Sequence, residues 1–153
     1  MLIKDLLSPS RVLHALEGGS KKRTLELISQ TISQQLDDLE EEDIFSGLIG
    51  RERLGSTGIG EGVAIPHCRL DNYSQVVGCL VQLAKPIDFD AIDGAPVDLL
   101  FVLLVPADAC DKHLQTLGNL AELFSQAEFR QQLRNAPSAE ALLEIATHYK
   151  VDN

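Results

Sequence analysis

Residues 97–105 are apolar at every position but one: Val97, Leu99, Leu100, Phe101, Val102, Leu103, Leu104 and Val105 surround Asp98, with Pro96 and Pro106 at the ends. Neighbouring side chains of a strand point to opposite faces of its sheet. A run that is apolar on both faces therefore belongs in the middle of a sheet covered by helices on both sides. A second apolar run, Val76 to Leu83, precedes it, and Asp93-Gly94 between them is a hairpin-type turn. The two strands are expected as antiparallel neighbours.

The flanking segments read as helices. Ser20 is a good N-cap, and Leu25, Leu27, Ile28, Ile32 and Leu36 follow at near-helical spacing, which predicts a helix from about Lys21 to Leu36. Lys21, Lys22 and Arg23 oppose the dipole of its first turn, as a contact surface or a solvated helix start. A second helix covers about Glu40 to Arg53, with acids at its favoured end and Arg51-Glu52-Arg53 at its close. Helices resume with His113 to Phe124, which carries Leu114, Leu117, Leu120, Leu123 and Phe124. Ser125-x-x-Glu128 has the form of a capping box for a short helix to about Arg134. Ser138 caps a last helix through about His148, before an exposed tail. His14 and His148 are read as surface residues of terminal helices. The order predicts an α/β (α+β mixed) fold: one domain over 1–153, core about 4–148, with a mixed sheet packed between helices on both faces.

Between the second helix and the first strand run lies the most chemically suggestive stretch. Gly55, Gly58, Gly60 and Gly62 punctuate a loop that leads into Val63, Ala64 and Ile65, then Pro66 and His67. The apolar triplet reads as a strand that Pro66 stops. Glycine loops bare backbone N–H groups that hold anions, and imidazole is nucleophilic near neutral pH. Together they suggest a histidine that takes up a phosphoryl group. By spacing alone the segment reads more simply as a glycine turn followed by an ordinary loop histidine. It is neither a Walker loop, which ends in Gly-Lys-Ser/Thr, nor a dinucleotide loop, whose glycines follow a strand.

Composition narrows the partners. Hydrophobic residues make up 44% and charged residues 24%, the balance of a globular chain. A net charge of −10 argues against nucleic acid and leaves room for a basic protein partner. No apolar run reaches membrane-spanning length, and Met1-Leu2-Ile3-Lys4-Asp5 does not read as a signal peptide, so a cytoplasmic protein without membrane insertion is expected. Cys68, Cys79 and Cys110 have no metal-ligand spacing and read as reduced thiols.

The segment from Gly55 to Gly60, running into Ala64-Ile65-Pro66-His67, resembles the active-site segment of the IIA component of the phosphoenolpyruvate-dependent phosphotransferase system, fructose/mannitol type. Phe89 to Asp93, Pro96 to Phe101, Leu104 to Ala107 and Asp111 to Leu114 agree as well. Ser20 to Arg23 brings the chain closer to the family's nitrogen-regulatory branch. The resemblance implies that His67 receives a phosphoryl group on Nε2 from a small HPr-like carrier, itself charged by an enzyme I. It implies that His113 is the second active-site histidine and that Arg51 belongs to the same pocket. It implies regulation of target proteins, such as potassium-transport regulators or sensor kinases, by phosphorylation-dependent binding, with phosphoenolpyruvate as distant donor and no cofactor or metal. The physical chemistry agrees: a transferring phosphoryl group asks mainly for positioning and charge stabilisation. Arg51 offers a fork of donors. Backbone N–H groups around Ser56, Thr57 and Gly58 are expected to add more, and a helix starting at His113 favours an anion. A backbone carbonyl on the other ring nitrogen of His67 is expected to hold the tautomer.

Each residue has a plainer reading: His113 as a polar residue near an N-cap, Arg51 as a helix C-terminal cation, Glu61 as a loop acid. Glu61 lies where the fructose/mannitol branch has an acid, which suggests a role in tuning His67. Cys68 stands where the family more often has glycine, as a small apolar filler or a thiol sensor. A metal site of His67, Cys68 and His113 has no supporting spacing. Two other functions use the same features. One is a metabolic IIA component that passes phosphate to a IIB domain in sugar uptake. The other is a binding module that works without phosphate.

Overall fold

The computed structural model describes residues 3–71, 73–108 and 111–150, with Asp111 and Lys112 described by their backbone alone. Cys110 and the tail beyond 150 lie outside the described residues. The short helix α1 (Ile3–Leu6) leads through a 3₁₀ turn, Pro9–Arg11, into β1 (Val12–Leu16). Helices α2 (Lys21–Gln35) and α3 (Glu41–Glu52) follow, then β2 (Gly58–Gly60), β3 (Val63–Ala64), β4 (His67–Leu70), β5 (Val77–Ile87) and β6 (Val97–Pro106). The chain closes with α4 (Asp111–Phe124), α5 (Ala127–Asn135) and α6 (Ala139–His148).

The sheet is mixed, in the order β1-β5-β6-β3-β2, with β4 continuing beyond β3 along the same flank of β6. β6 pairs antiparallel with β5 and parallel with β3 and β4. From Leu99 to Val105 its side chains divide by parity, while Val97 at its start joins the core beneath α2 and α3. Leu100, Val102 and Leu104 join the core beneath α2 and α3, whereas Leu99, Phe101, Leu103 and Val105 join the core beneath α4, α5 and α6. This is the two-faced burial that the apolar run predicts. On the second face Phe101, Phe124 and Phe129 form edge-to-face pairs at 6.3 and 5.2 Å.

Several boundaries differ from expectation for local reasons. The antiparallel neighbours β5 and β6 form as predicted, but the connection runs from 88 to 96 instead of a tight hairpin. Asp93 works there as a loop clasp, accepting from the Ala95 and Glu61 N–H groups at 3.0 Å each. These two bonds hold its carboxyl below the usual carboxylate range. His14 lies in the parallel edge strand β1, not in a helix, and its Nε2 donates to the Ala136 carbonyl at 3.0 Å. Its strand is hard to read because Ala15, at φ 52°, interrupts the alternation and sends its N–H to the Gln82 side chain. Ser125 does not open α5: its hydroxyl donates to the Glu122 carbonyl and closes α4. Ser20 and Ser138 do cap, accepting from the Arg23 and Ala141 N–H groups at 3.1 Å.

Gly78 marks where the sheet meets α1. A Cβ there would stand 2.9 Å from Phe101 Cζ and 3.0 Å from both the Leu6 Cβ and its carbonyl oxygen. Gly78→Ala is expected to cost about 1–3 kcal/mol through overpacking, read as a lower urea midpoint at unchanged slope.

Candidate active site

Pro66 interrupts a strand without ending it. β3 and β4 run along the same side of β6, and between them the Pro66 carbonyl accepts the Leu103 N–H at 2.9 Å. Proline lacks the donor but keeps the acceptor, so pairing resumes at His67, opposite Leu103. Alternation then buries Cys68 and Leu70 under α3 and turns His67 and Arg69 to the other side.

His67 is half-buried, and its Nδ1 lies 2.8 Å from the Ile65 carbonyl oxygen. A carbonyl only accepts, so Nδ1 carries the proton in this bond. Neutral imidazole has one N–H, which leaves Nε2 with the free lone pair. The ring lines a cavity of about 380 Å³ at the edge of the sheet, with α3 on one side and α4 on the other. Arg51, Arg69 and His113 line the same cavity, as do Leu54 and Leu114, which are 84% and 62% exposed. Among the described residues no carboxylate lines it, although the chain carries a net charge of −10.

The structure thus brings Arg51, His67 and His113 together. Arg51 sits in the last turn of α3, and its Nη1 donates to the Gly55 carbonyl at 2.8 Å, so it closes the helix and faces the cavity at once. His113 is the third residue of α4 rather than its first. Its Nδ1 is buried and takes no partner among the described residues. An orphaned buried ring nitrogen is costly unless something binds it.

Ser56, Thr57 and Gly58 are not brought to this cavity. Several of their donors are engaged internally: Ser56 Oγ donates to the Phe89 carbonyl at 2.6 Å and accepts the Gly58 N–H at 3.0 Å. The Thr57 N–H and hydroxyl both go to Glu52. The glycine segment is a small hairpin, not an open anion cradle. Glu61 and Gly62 join β2 to β3 with φ of 59° and 78°, both positive as a type I′ turn requires. Glu61 lies away from the cavity. Its carbonyl accepts from Arg134 Nη2 at 2.6 Å, and its carboxylate faces Arg130 at 3.7 Å. Tuning of His67 by the Glu61 side chain has no geometric basis here.

Two residues carry weight that sequence reasoning did not assign. Glu52 is buried, with its side chain 4% exposed, and ties three segments: Lys21 Nζ of α2 at 2.9 Å and both donors of Thr57. Lys21 also lies 4.7 Å over the Phe89 ring, so the basic start of α2 is partly a structural pair. The signal was the Arg51-Glu52-Arg53 run, in which Glu52 alone points inward. Arg69 is the other, two residues past His67 on the same strand. Cys68 packs on Gly47, where a Cβ would stand 2.8 Å from its Sγ. Burial pushes the Cys68 and Cys79 thiols up to about 12, so both stay protonated near neutral pH. That favours the filler reading of Cys68 over a sensor. Among the described residues no group of three or more His, Cys, Asp or Glu side chains is placed to hold a metal ion.

Residues 5–149 match the family described as the phosphoenolpyruvate-dependent sugar phosphotransferase system, EIIA 2. The chain belongs to this family. As an EIIA type-2 domain it is 48% identical over 143 residues to a nitrogen regulatory protein of Pseudomonas aeruginosa, covering 94% of this chain and 93% of that one. A nitrogen regulatory protein of Escherichia coli is 49% identical over 129 residues, covering 84% and 78%. The crystal structure of nitrogen regulatory protein IIA-Ntr from Neisseria meningitidis shares the fold of this EIIA domain with a TM-score of 0.89 at 42% identity, over 95% of this chain and 99% of that one. Among the described residues no helix is long and apolar enough to cross a membrane.

Glu52→Ala leaves the Lys21 ammonium and two Thr57 donors without their acceptor. The expected cost is about 2–4 kcal/mol, with faster amide exchange at Thr57, read by urea unfolding and hydrogen–deuterium exchange. The thiols give a pH signature. In the folded chain Cys68 and Cys79 hold their protons to about pH 12, whereas an ordinary thiol releases its proton near 9.0. Across that window the unfolded chain binds fewer protons, so stability falls as pH rises, by about 1.4 kcal/mol per unit for each thiol. Native protein should resist iodoacetamide at Cys68 at pH 8 and react there on unfolding, as peptide mass mapping would show.

Proposed function

We propose that this EIIA domain is a regulatory phosphocarrier that accepts a phosphoryl group on His67 Nε2 and binds target proteins according to its phosphorylation state. The observation that carries the reading is the hydrogen bond from His67 Nδ1 to the Ile65 carbonyl. It presents Nε2 as the nucleophile without need of a separate base. In the step, the Nε2 lone pair forms the new N–P bond while the N–P bond of the carrier's phosphohistidine breaks. The electron pair returns to the donor nitrogen. The proton on Nδ1 stays with the Ile65 bond throughout.

The remaining parts fit around that nitrogen. Arg51 supplies guanidinium donors for the phosphoryl oxygens. His113 Nδ1, buried and without a partner among the described residues, supplies another donor when that nitrogen bears the proton. A cavity whose described charged lining is cationic attracts the group that an acidic protein would otherwise repel. The exposed rim of Leu54 and Leu114 offers apolar area to a docking carrier. We assign that carrier to the HPr-like class of a nitrogen-type chain, charged by its own enzyme I in the cytoplasm. The targets belong with potassium-transport regulators and sensor kinases. Phosphorylation adds about −1.5 to −2 charges at the cavity mouth, enough to change which partner surfaces fit. The names of the relatives favour this regulatory reading over a metabolic IIA component, which would use the same residues.

Intact mass after incubation with phosphoenolpyruvate, enzyme I and an HPr-like carrier tests the proposal. Wild type should gain one acid-labile phosphate and His67→Ala none. Arg51→Ala and His113→Ala should slow transfer by about 10- to 100-fold. No gain with either a nitrogen-type or a sugar-type carrier would overturn the proposal in favour of a phosphate-independent binding module.

A further inference from the structure

Arg69 is a cation whose place in the fold is not explained by packing. It is exposed, on an edge strand, and its guanidinium takes no carboxylate or carbonyl partner among the described residues. Other arginines near the sheet are engaged. Arg11 donates to the Gly78 carbonyl, Arg130 to the Phe124 carbonyl, and Arg134 to Asp98. Arg51, across the cavity, gives Nη1 to Gly55.

Strand geometry decides where Arg69 points. His67 and Arg69 pair with Leu103 and Val105 of β6, and the intervening Cys68 is buried under α3. Residues two apart share a face and start about 7 Å from one another, within reach of an extended arginine. Both side chains line the same cavity, as does Arg51. A phosphoryl group on the His67 ring would lie between a guanidinium anchored on α3 and one anchored on β4.

We propose that Arg69 is a second guanidinium ligand of the phosphoryl group, opposite Arg51, and so a catalytic residue of the transfer; this rests on the phosphocarrier reading of His67. Its N–H groups donate to the non-bridging oxygens as the N–P bond to Nε2 forms and the donor's N–P bond breaks. No proton leaves the guanidinium. Arg51 is held in one orientation by its bond to Gly55, whereas Arg69 carries a full fork that no group among the described residues occupies. A planar fork fits two phosphoryl oxygens in a way that a lysine point charge does not. An edge-strand cation also discourages pairing with another sheet, but that role alone would leave the chemistry of the phosphoryl group untouched.

The test compares wild type, Arg69→Gln and Arg69→Lys with two donors: the phosphorylated HPr-like carrier and phosphoramidate, a small donor that needs no docking surface. Circular dichroism and the urea midpoint check that the fold is kept, as expected for an exposed side chain. Arg69→Gln is expected to slow phosphorylation of His67 by about tenfold with both donors, with Arg69→Lys in between. In ³¹P NMR titrations of the phosphoprotein, the phosphoryl group should protonate at higher pH in Arg69→Gln, because a cation that favours its dianion is gone. Equal rates and equal titrations would overturn the inference while leaving the phosphocarrier intact. Slowing with the carrier but not with phosphoramidate would overturn it too, making Arg69 a docking residue. A wild type that takes phosphate from neither donor would overturn the phosphocarrier reading itself.

Discussion

Strand β6 is buried on both faces, and the other layers take their positions from it. From Leu99 to Val105 its odd residues hold α4, α5 and α6, and its even residues hold α2 and α3. Its backbone edge holds β5 on one side and β3 with β4 on the other. A strand with apolar side chains in every direction has only one stable place, the centre of a covered sheet. Because β4 pairs with it in parallel register, His67 is set opposite Leu103. The position of the candidate nucleophile is thus a consequence of core burial several residues away.

A second interaction holds the approach to His67. Glu52 accepts from Lys21 and from both donors of Thr57, so α2, α3 and the start of the β2–β3 hairpin converge on one carboxylate. A buried charge is tolerated only when paired and hydrogen-bonded, and this one has both kinds of partner. The hairpin is pinned at its other end, where Asp93 accepts the Glu61 N–H and Arg134 donates to the Glu61 carbonyl. The glycines there serve a tight turn and close packing: a Cβ on Gly58 would stand 2.8 Å from the Ala91 Cβ. Rigid support of this kind is what a histidine tautomer needs to persist, since Ile65 must keep its carbonyl at Nδ1.

Much of the fold was legible because burial leaves a periodic trace. The runs that became β5 and β6, the caps at Ser20 and Ser138, and the faces of α2 and α3 all follow from spacing and side-chain chemistry. What escaped was local. β1 is an edge strand of five residues broken by Ala15 in the left-handed region. Ser125 has two neighbours that its hydroxyl could serve, and it serves the helix behind it. Proline before His67 reads as a stop, yet only its missing donor matters, and its carbonyl keeps the ladder going. Near the site, the segment from Gly55 to His67 carried a family resemblance that family membership bears out. The glycine loop misled because counting N–H groups says nothing about whether they are already bonded.

By itself the sequence determined the two-sided sheet, the helical layers and the family, since these depend on hydrophobic period and residue order, both local properties of the chain. Only the tertiary structure decided which polar groups face one another. Arg51 and His113 lie on helices from opposite faces of the sheet and meet His67 at its edge. Glu52 turned inward to Lys21, some thirty residues earlier in the chain, while Glu61 turned away from the histidine that follows it closely. Hydrogen bonds and ion pairs are short-ranged and directional. Their partners are therefore chosen by how the layers stack, not by how far apart the residues stand in sequence.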